Sequence, residues 1–562
     1  MDRRSFLKSV GVTAAGTAVA ASSDSFAAGP TPGLPPLFFS NGNRDRRRIT
    51  STDLTPWSPS SSQPWDVHTI NHLYRRAGFG ATLAEIAAAS GKTPSQVVDA
   101  LLDDNLLKGN KLPADPQNSD KWLHVPPYLG TDLGQQIAQQ SLYYSANMDI
   151  RTQWTVLMNQ PDVMLREKMS LFWMNHFVIE ATKKVYYPQM VYNFLSYFRQ
   201  NAWGNFKKMV SDVTVSPAML IYLDGIYNQG LAPNENYARE LQELFTLGVV
   251  DKDGKANYTQ ADVEGVAHAL TGWTVDATAP APNVLPAKYD VNRHDSSFQK
   301  IYDGVNRQYN LTASGASMDM DLIDHIFDQR GDQIAWYICS KLYQFFVYHD
   351  ITQKPEKDII DAMAATFKQG NWELKPVLSQ LLKSAHFFDE ANIGAGIKSP
   401  YEHLLGMIRT FTIQIDINAS TSLYYYALAG SQELLDPPNV KGWPGYHSWI
   451  STTTLPYRNS VQTLLISGAM PGIGGGTPVN LPADMLGWSK QLASYDSGTF
   501  DEVINELANY LCAHLPSATA IKYVKSPFPA GYEWGILTDQ VKVGTIRTLI
   551  NRIMLLADYQ LS

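Results

Sequence analysis

The chain has 562 residues, 44% of them hydrophobic and 17% charged, with a formal net charge of −8. That is enough apolar material for one large core or two ordinary ones. The acidic balance excludes a global field that would draw in nucleic acid or an anionic membrane, and two cysteines, Cys339 and Cys512, exclude a scaffold held by disulfides.

Residues 1–27 read as a targeting segment. Arg3-Arg4 followed by Ser5-Phe6-Leu7-Lys8 is the twin-arginine pattern, a mild apolar stretch runs from Val10 to Ala21, and Ser25-Phe26-Ala27 offers a cleavage site. This predicts a periplasmic or secreted protein. No later run reaches the roughly 18 apolar residues of a membrane span, so no transmembrane segment is expected in the mature chain. Residues 28–64 are rich in Pro, Ser and Gly and read as a linker or extended arm, with a basic cluster at Arg44, Arg46, Arg47 and Arg48.

From Trp65 the pattern is helical. HTINHLYRRAGFG predicts a helix ending at Gly78, Thr82 with Glu85 forms a capping box, and Thr93-Pro94 opens another helix. After a polar loop at 107–131, helices are expected over 134–160, Asp162–Val178, 188–210 and 214–223. The Asp162–Val178 helix places Leu165, Met169, Phe172, Trp173 and His176 on one face. A histidine among apolar neighbours is either satisfied by one core hydrogen bond or serves as a ligand or acid-base group.

The stretch PNENYARELQELFTLGVVDKDGKANYTQADVEGVAHALTGW carries the best chemical clue. Asn234 caps a helix running to Leu247, and Thr259 with Asp262 opens the next. On the first helix Tyr237, Leu241, Leu244, Phe245 and Leu247 form an apolar arc that encloses Glu240 and borders Glu243. A carboxylate on a buried face needs a cation, a donor or a metal. Glu240 and Glu243 have the spacing by which one helix offers two carboxylates to a metal or an acid-base site. The rival reading pairs Glu240 with Arg75, Arg76 or Arg166. Between the two helices DKDGKANYTQAD resembles a calcium loop, but Lys255 and Ala256 stand where an oxygen ligand and the turn glycine belong, so an ordinary polar turn is expected.

Residues 275–320 lose periodicity and hold His294-Asp295. Helices resume over 321–348, 355–368 and 373–386 and from Ser399-Pro400. DPPNVKGWPGYHSWI at 436–450 is a stiff aromatic loop that either lines a cleft or plugs the end of the domain. A Gly/Pro-rich loop at 467–482 precedes helices at 499–513 and 543–558. No G-x-S-x-G, Walker loop, G-x-G-x-x-G, H-E-x-x-H or C-x-x-C is present.

The segments HLYRRAGFG, REKMSLFWMNHFV, NENYARELQELFTLG, NYTQADVEGVAHALTGW, HDSSFQK, KLYQFFV, IKSPYEHLLG and DPPNVKGWPGYHSWI occur in this order, followed by LLADYQL. Together, from about Asp66 onward, they resemble the large bacterial family catalogued as domain of unknown function 1800. The resemblance implies export and a co-encoded, exported sulfatase-like protein as a partner. It carries no established activity and transfers no catalytic residue. Arg76, His176, Asn236, Arg239, Glu240, Glu243, His294, Asp295, Lys398 and Trp443 lie within the matching motifs. Where many relatives read ELHTLG this chain has Phe245, and its turn at 251–257 is longer than the family's usual Asp-Gly-Gly.

The fold expected is mainly α: one large multi-helix domain over 65–562, with little or no sheet and long irregular loops at 275–320 and 436–482. Glu240, Glu243, His176, His294 and Asp295 are the candidate catalytic residues. Glu240, Glu243 and His176 are the candidate ligands of a divalent metal. Two functions stand side by side: a metal- or carboxylate-dependent hydrolase acting on an extracellular polymer, and a non-enzymatic secretion or cell-surface partner whose charged motifs are structural.

Overall fold

Local capping decides where many of the helices begin. Asp66, Thr82, Thr93, Thr259, Ser399 and Thr499 each close a reciprocal capping box with the residue three places on, satisfying backbone N–H groups that would otherwise lack partners. The computed structural model describes residues 49, 51–108, 132–185, 187–277, 285–309, 321–480 and 484–562. The targeting segment, the basic cluster at Arg44–Arg48 and the loop at 109–131 lie outside the described residues. The principal helices are α1 (Val67–Arg76), α2 (Leu133–Met158), α3 (Met164–His176), α4 (Pro188–Gln200), α5 (Glu235–Glu240), α6 (Gln260–Ala269), α7 (Asp321–Phe346), α8 (Lys354–Gln369), α9 (Pro400–Thr410), α10 (Ile417–Ala429), α11 (Thr454–Ser467) and α12 (Phe500–Leu511).

The fold is mainly α. Among the described residues the only sheets are two antiparallel pairs, Trp273–Val275 with Ala287–Tyr289 and Gln299–Lys300 with Asn306–Arg307. The second falls inside the aperiodic stretch 275–320, and the first straddles its start. No helix among the described residues is long and apolar enough to cross a membrane.

Helix α7 packs on α8, α2 on α10, and α3 on α4. Their apolar faces join one contiguous core in which Trp154, Trp173, Phe177, Phe206 and Tyr343 are buried. Cys339 and Cys512 are both buried and free. Residues 51–64, the end of the expected arm, lie against the body: Trp57 N donates to Lys383 O at 2.7 Å, and its ring stacks on Phe388 at 4.5 Å between centroids.

Three expected boundaries differ. The helix expected over 188–210 stops at Gln200 and restarts at Phe206, because Asn205 turns its side chain onto Lys208 N as a new cap. The long loop expected at 436–482 contains α11, whose buried Val461, Gln462, Leu465 and Ile466 recur at helical spacing behind a Thr/Pro-rich start. And α5 is α-helical only to Glu240; Leu241–Thr246 continue as a π-helical turn, with the Thr246 hydroxyl donating to Leu241 O at 2.6 Å.

Candidate functional site

The apolar arc on α5 and its π extension folds inward as its sequence requires: Tyr237, Leu241, Phe245 and Leu247 are buried. Glu240 is carried in with them to a half-buried position, and its Oε2 has no hydrogen-bond partner. The arginines that could have paired with it are occupied elsewhere. Arg75 donates to Cys512 O and Tyr510 O, Arg76 to the carbonyls of Phe345, Phe346 and Val347, and Arg166 to Glu167. Burial therefore raises the Glu240 pKa, and Glu243 raises it further, against weaker opposition from Lys441 and Arg239. Glu243 itself accepts from Lys441 Nζ at 3.3 Å and Tyr258 OH at 3.4 Å.

A carboxyl whose pKa is raised by folding favours the folded state below its ordinary value of 4.5 and loses that contribution as pH rises through the folded value. Glu240→Gln is therefore expected to raise the melting temperature near neutral pH, with the gain vanishing as the pH falls to 4.5 and below. A drop in melting temperature at neutral pH would show that the carboxylate has a cation after all.

His176 ends α3 with its ring against Trp173, Phe177 and Phe245. Its Nε2 lies 2.9 Å from Phe245 O, and a carbonyl only accepts, so the proton sits on Nε2. Nδ1 then carries the lone pair, and it has no partner. Burial, reinforced by the charge of Lys341, holds the imidazole pKa well below the usual histidine value, so the ring is neutral.

His176 forms part of the wall of a cavity of about 330 Å³. Arg76, Lys341 and Lys441 line it, and Trp443, Tyr446 and Trp449 bring the stiff aromatic loop of 436–450 to its rim. The loop therefore lines a cleft. Gly442 seats it on α3: Trp443 N donates to Asn175 Oδ1 at 2.6 Å, and Asn175 Nδ2 donates back to Trp443 O at 3.3 Å. Lys341 is half-buried, with its ammonium 5.1 Å from the centre of the Tyr337 ring, and burial pushes its pKa down to about 8. Glu402, also in the wall, is taken up by a salt bridge to buried Lys168. Lys441 borders both the cavity and the Glu240/Glu243 pair.

His294 and Asp295 stand elsewhere. His294 Nδ1 donates to Thr271 O at 2.9 Å, and Asp295 N donates to the Thr271 hydroxyl at 2.7 Å. Asp295 Oδ2 holds His268 Nδ1 at 2.5 Å. Burial works against the Asp295 charge, but hydrogen bonds from Ser297 and His268 bring its pKa below the ordinary value. His268, on α6, has no marker of its own in the sequence, and only its pairing with Asp295 points to it.

Glu240, Glu243 and His176 are not gathered into one set of donor atoms. Among the described residues one group of His, Asp, Glu or Cys side chains converges closely enough to hold a metal, and it consists of His68, Glu390 and His514. In the calcium-like loop at 251–262, Asp251 and Asp262 are taken up by backbone N–H groups. Asp251 Oδ1 accepts from Asp253 N and Lys255 N, and Asp262 accepts from Thr259 N and Tyr302 N.

No curated protein and no solved structure matches the chain. The family model described as Protein of unknown function (DUF1800) does match, over residues 72–541, which include α3, α5, α6 and the aromatic loop at the cavity rim; the chain belongs to that family.

Proposed function

We propose that the protein is an exported hydrolase acting on an anionic extracellular polymer, with the cavity beside His176 as its active site. The observation that carries this reading is His176 Nδ1, a buried lone pair without a partner on a neutral ring whose orientation is fixed by the Phe245 carbonyl. A water that reached this nitrogen from the cavity would find it the acceptor for its proton. Water would attack the scissile centre while Nδ1 accepts its proton, and the same proton would pass to the leaving oxygen, so the ring returns neutral. Lys341, Lys441 and the charge of Arg76 favour an anionic group at the reacting centre. Trp443, Tyr446 and Trp449 add apolar wall beside that group. The twin-arginine pattern at Arg3-Arg4 supports export. Glu240 and Glu243, beyond Lys441, are the carboxylates a carboxylate- or metal-assisted version of this chemistry would use.

The test is His176→Gln. Glutamine can keep an N–H donor toward the Phe245 carbonyl while removing the basic nitrogen. Wild-type protein is expected to cleave at least one of a panel of sulfated, phosphorylated or uronate-bearing polymers. His176→Gln should retain its melting temperature within about 2 °C yet lose roughly 100-fold or more in kcat. Anion binding by the wild type should weaken as the pH rises through about 8, where Lys341 loses its proton. A folded wild type that neither cleaves nor binds any of the panel would retire the enzyme reading.

One observation favours the second reading, a non-enzymatic partner of a co-encoded sulfatase-like protein. Tyr227, Leu231 and Val291 are 65%, 102% and 69% exposed, around the hydrogen bond from Gly230 N to Arg293 O. On that reading His176→Gln changes nothing, while replacing Leu231 abolishes association with the partner.

A further inference from the structure

His68, Glu390 and His514 come from three distant parts of the chain, and no catalytic reading uses them. Their donor atoms all lie within 4.8 Å of one another. Glu390 Oε1 is 3.7 Å from His68 Nε2 and 3.6 Å from His514 Nδ1. Both separations are too long for hydrogen bonds. The spacing does suit a shared ion. Donors around a tetrahedral zinc stand about 3.3 Å apart, given metal–ligand bonds of about 2.0–2.2 Å.

The three segments are tied together independently of any ion. His68 lies in the first turn of α1, where Asp66 accepts from its backbone N–H at 3.0 Å. One turn on, His72 Nε2 donates to Phe387 O at 3.0 Å, which fixes the segment leading to Glu390. A further turn on, Arg75 donates to Tyr510 O and Cys512 O, both at 2.8 Å, which fixes the segment leading to His514. Gly394, at φ +66°, passes so close that a methyl there would lie 2.8 Å from His514 Cδ2 and Nε2, so bare backbone pins the ring. One face of α1 thus presets all three side chains. Their fractional exposures, 22% for His68, 65% for Glu390 and 15% for His514, leave the carboxylate side open to solvent. Among the described residues no lysine or arginine pairs with Glu390 to compete for it.

We propose that His68 Nε2, His514 Nδ1 and a Glu390 oxygen bind a divalent first-row metal ion, for which the two-imidazole, one-carboxylate donor set best suits Zn²⁺, with water in the remaining position. The site clips the start of α1 to the segments that follow Leu374–Lys383 and α12. It is separate from the His176 cavity, so its metal stabilises the fold and takes no part in the proposed hydrolysis.

The full chain, stripped with a chelator and titrated with Zn²⁺ alone near neutral pH, is expected to bind one equivalent by calorimetry and to melt at a higher temperature. Co²⁺ in its place should give the visible absorption of a low-coordinate site. Binding should fall as the pH drops through the histidine range, because each ligand nitrogen must be deprotonated. Glu390→Gln alters an exposed side chain, so the protein should fold while affinity falls by roughly 100-fold or more. His514→Ala should abolish uptake with unchanged far-ultraviolet circular dichroism. Absence of stoichiometric Zn²⁺ binding by the wild type overturns the proposal, as does binding that Glu390→Gln and His514→Ala leave intact.

Discussion

Glu167→Ala is expected to destabilise the protein by roughly 3–5 kcal/mol, the scale on which removing one partner from a buried ion cluster acts. Glu167 on α3 is fully enclosed, as are the two guanidinium groups it neutralises. Its oxygens accept from Arg199 Nε at 2.9 Å and Nη2 at 3.0 Å, from Arg166 Nε at 2.8 Å, and from Trp154 Nε1 at 3.0 Å. The four residues join α2, α3 and α4. Without the carboxylate Arg166 and Arg199 lose the buried charge that both guanidinium groups share, and an indole N–H loses its acceptor. Glu167→Gln should be nearly as damaging, because it keeps the shape but removes the charge and turns an amide donor toward cations. Urea denaturation of the two variants against wild type measures the effect. A shift below about 1 kcal/mol for Glu167→Ala would mean that water enters and solvates the arginines.

Gly442→Ala is expected to detach the aromatic loop from α3 and destroy the cavity. Gly442 has φ +80°, and a methyl there would lie 2.5 Å from the Asn175 carbonyl oxygen and 2.9 Å from its Cγ. Backbone strain of about 1–3 kcal/mol adds to the loss of the reciprocal Asn175–Trp443 hydrogen bonds, so roughly 2–5 kcal/mol is at stake locally. The loop carries Trp443, Tyr446 and Trp449 to the rim, and Asn175 immediately precedes His176, so displacement reaches the proposed site directly. Gly445→Ala is the control. That residue also has positive φ, at +72°, but an added methyl meets nothing within 4 Å, so strain acts there without collision. Near-ultraviolet circular dichroism and activity should collapse in Gly442→Ala and change far less in Gly445→Ala. Equal damage from both would assign the effect to backbone strain alone.

Much of the helical frame was legible because capping and apolar periodicity act within a few residues along the chain. Thr82 with Glu85, Thr93-Pro94 and Thr259 with Asp262 name their own helix starts, and each is found there. The inward turn of Tyr237, Leu241 and Phe245 follows from spacing in the same way. So does the resemblance to the family, which rests on contiguous motifs. The arc also placed Glu240 on the buried face of its helix, where it is half-buried.

The partners of these residues could not be read from spacing. Whether Glu240 faces an arginine depended on where Arg75, Arg76 and Arg166 end up: Arg75 and Arg76 are consumed by carbonyls far from them in sequence, and Arg166 by the adjacent Glu167. Whether the 436–450 loop lines a cleft depended on Gly442 meeting Asn175, and His268 acquired meaning only when Asp295 reached it. The π turn at Leu241–Thr246 and helix α11 likewise escaped a reading based on regular α spacing and on proline and threonine content. His68, Glu390 and His514 have no local signature at all, since they meet only because α1 grips two remote segments through His72 and Arg75. The sequence by itself determined helix starts, buried faces and family, because those follow from interactions between near neighbours on the chain. Only the tertiary structure decided which polar groups are paired and which are left free, because that depends on side chains brought together from distant segments by the packing of the core.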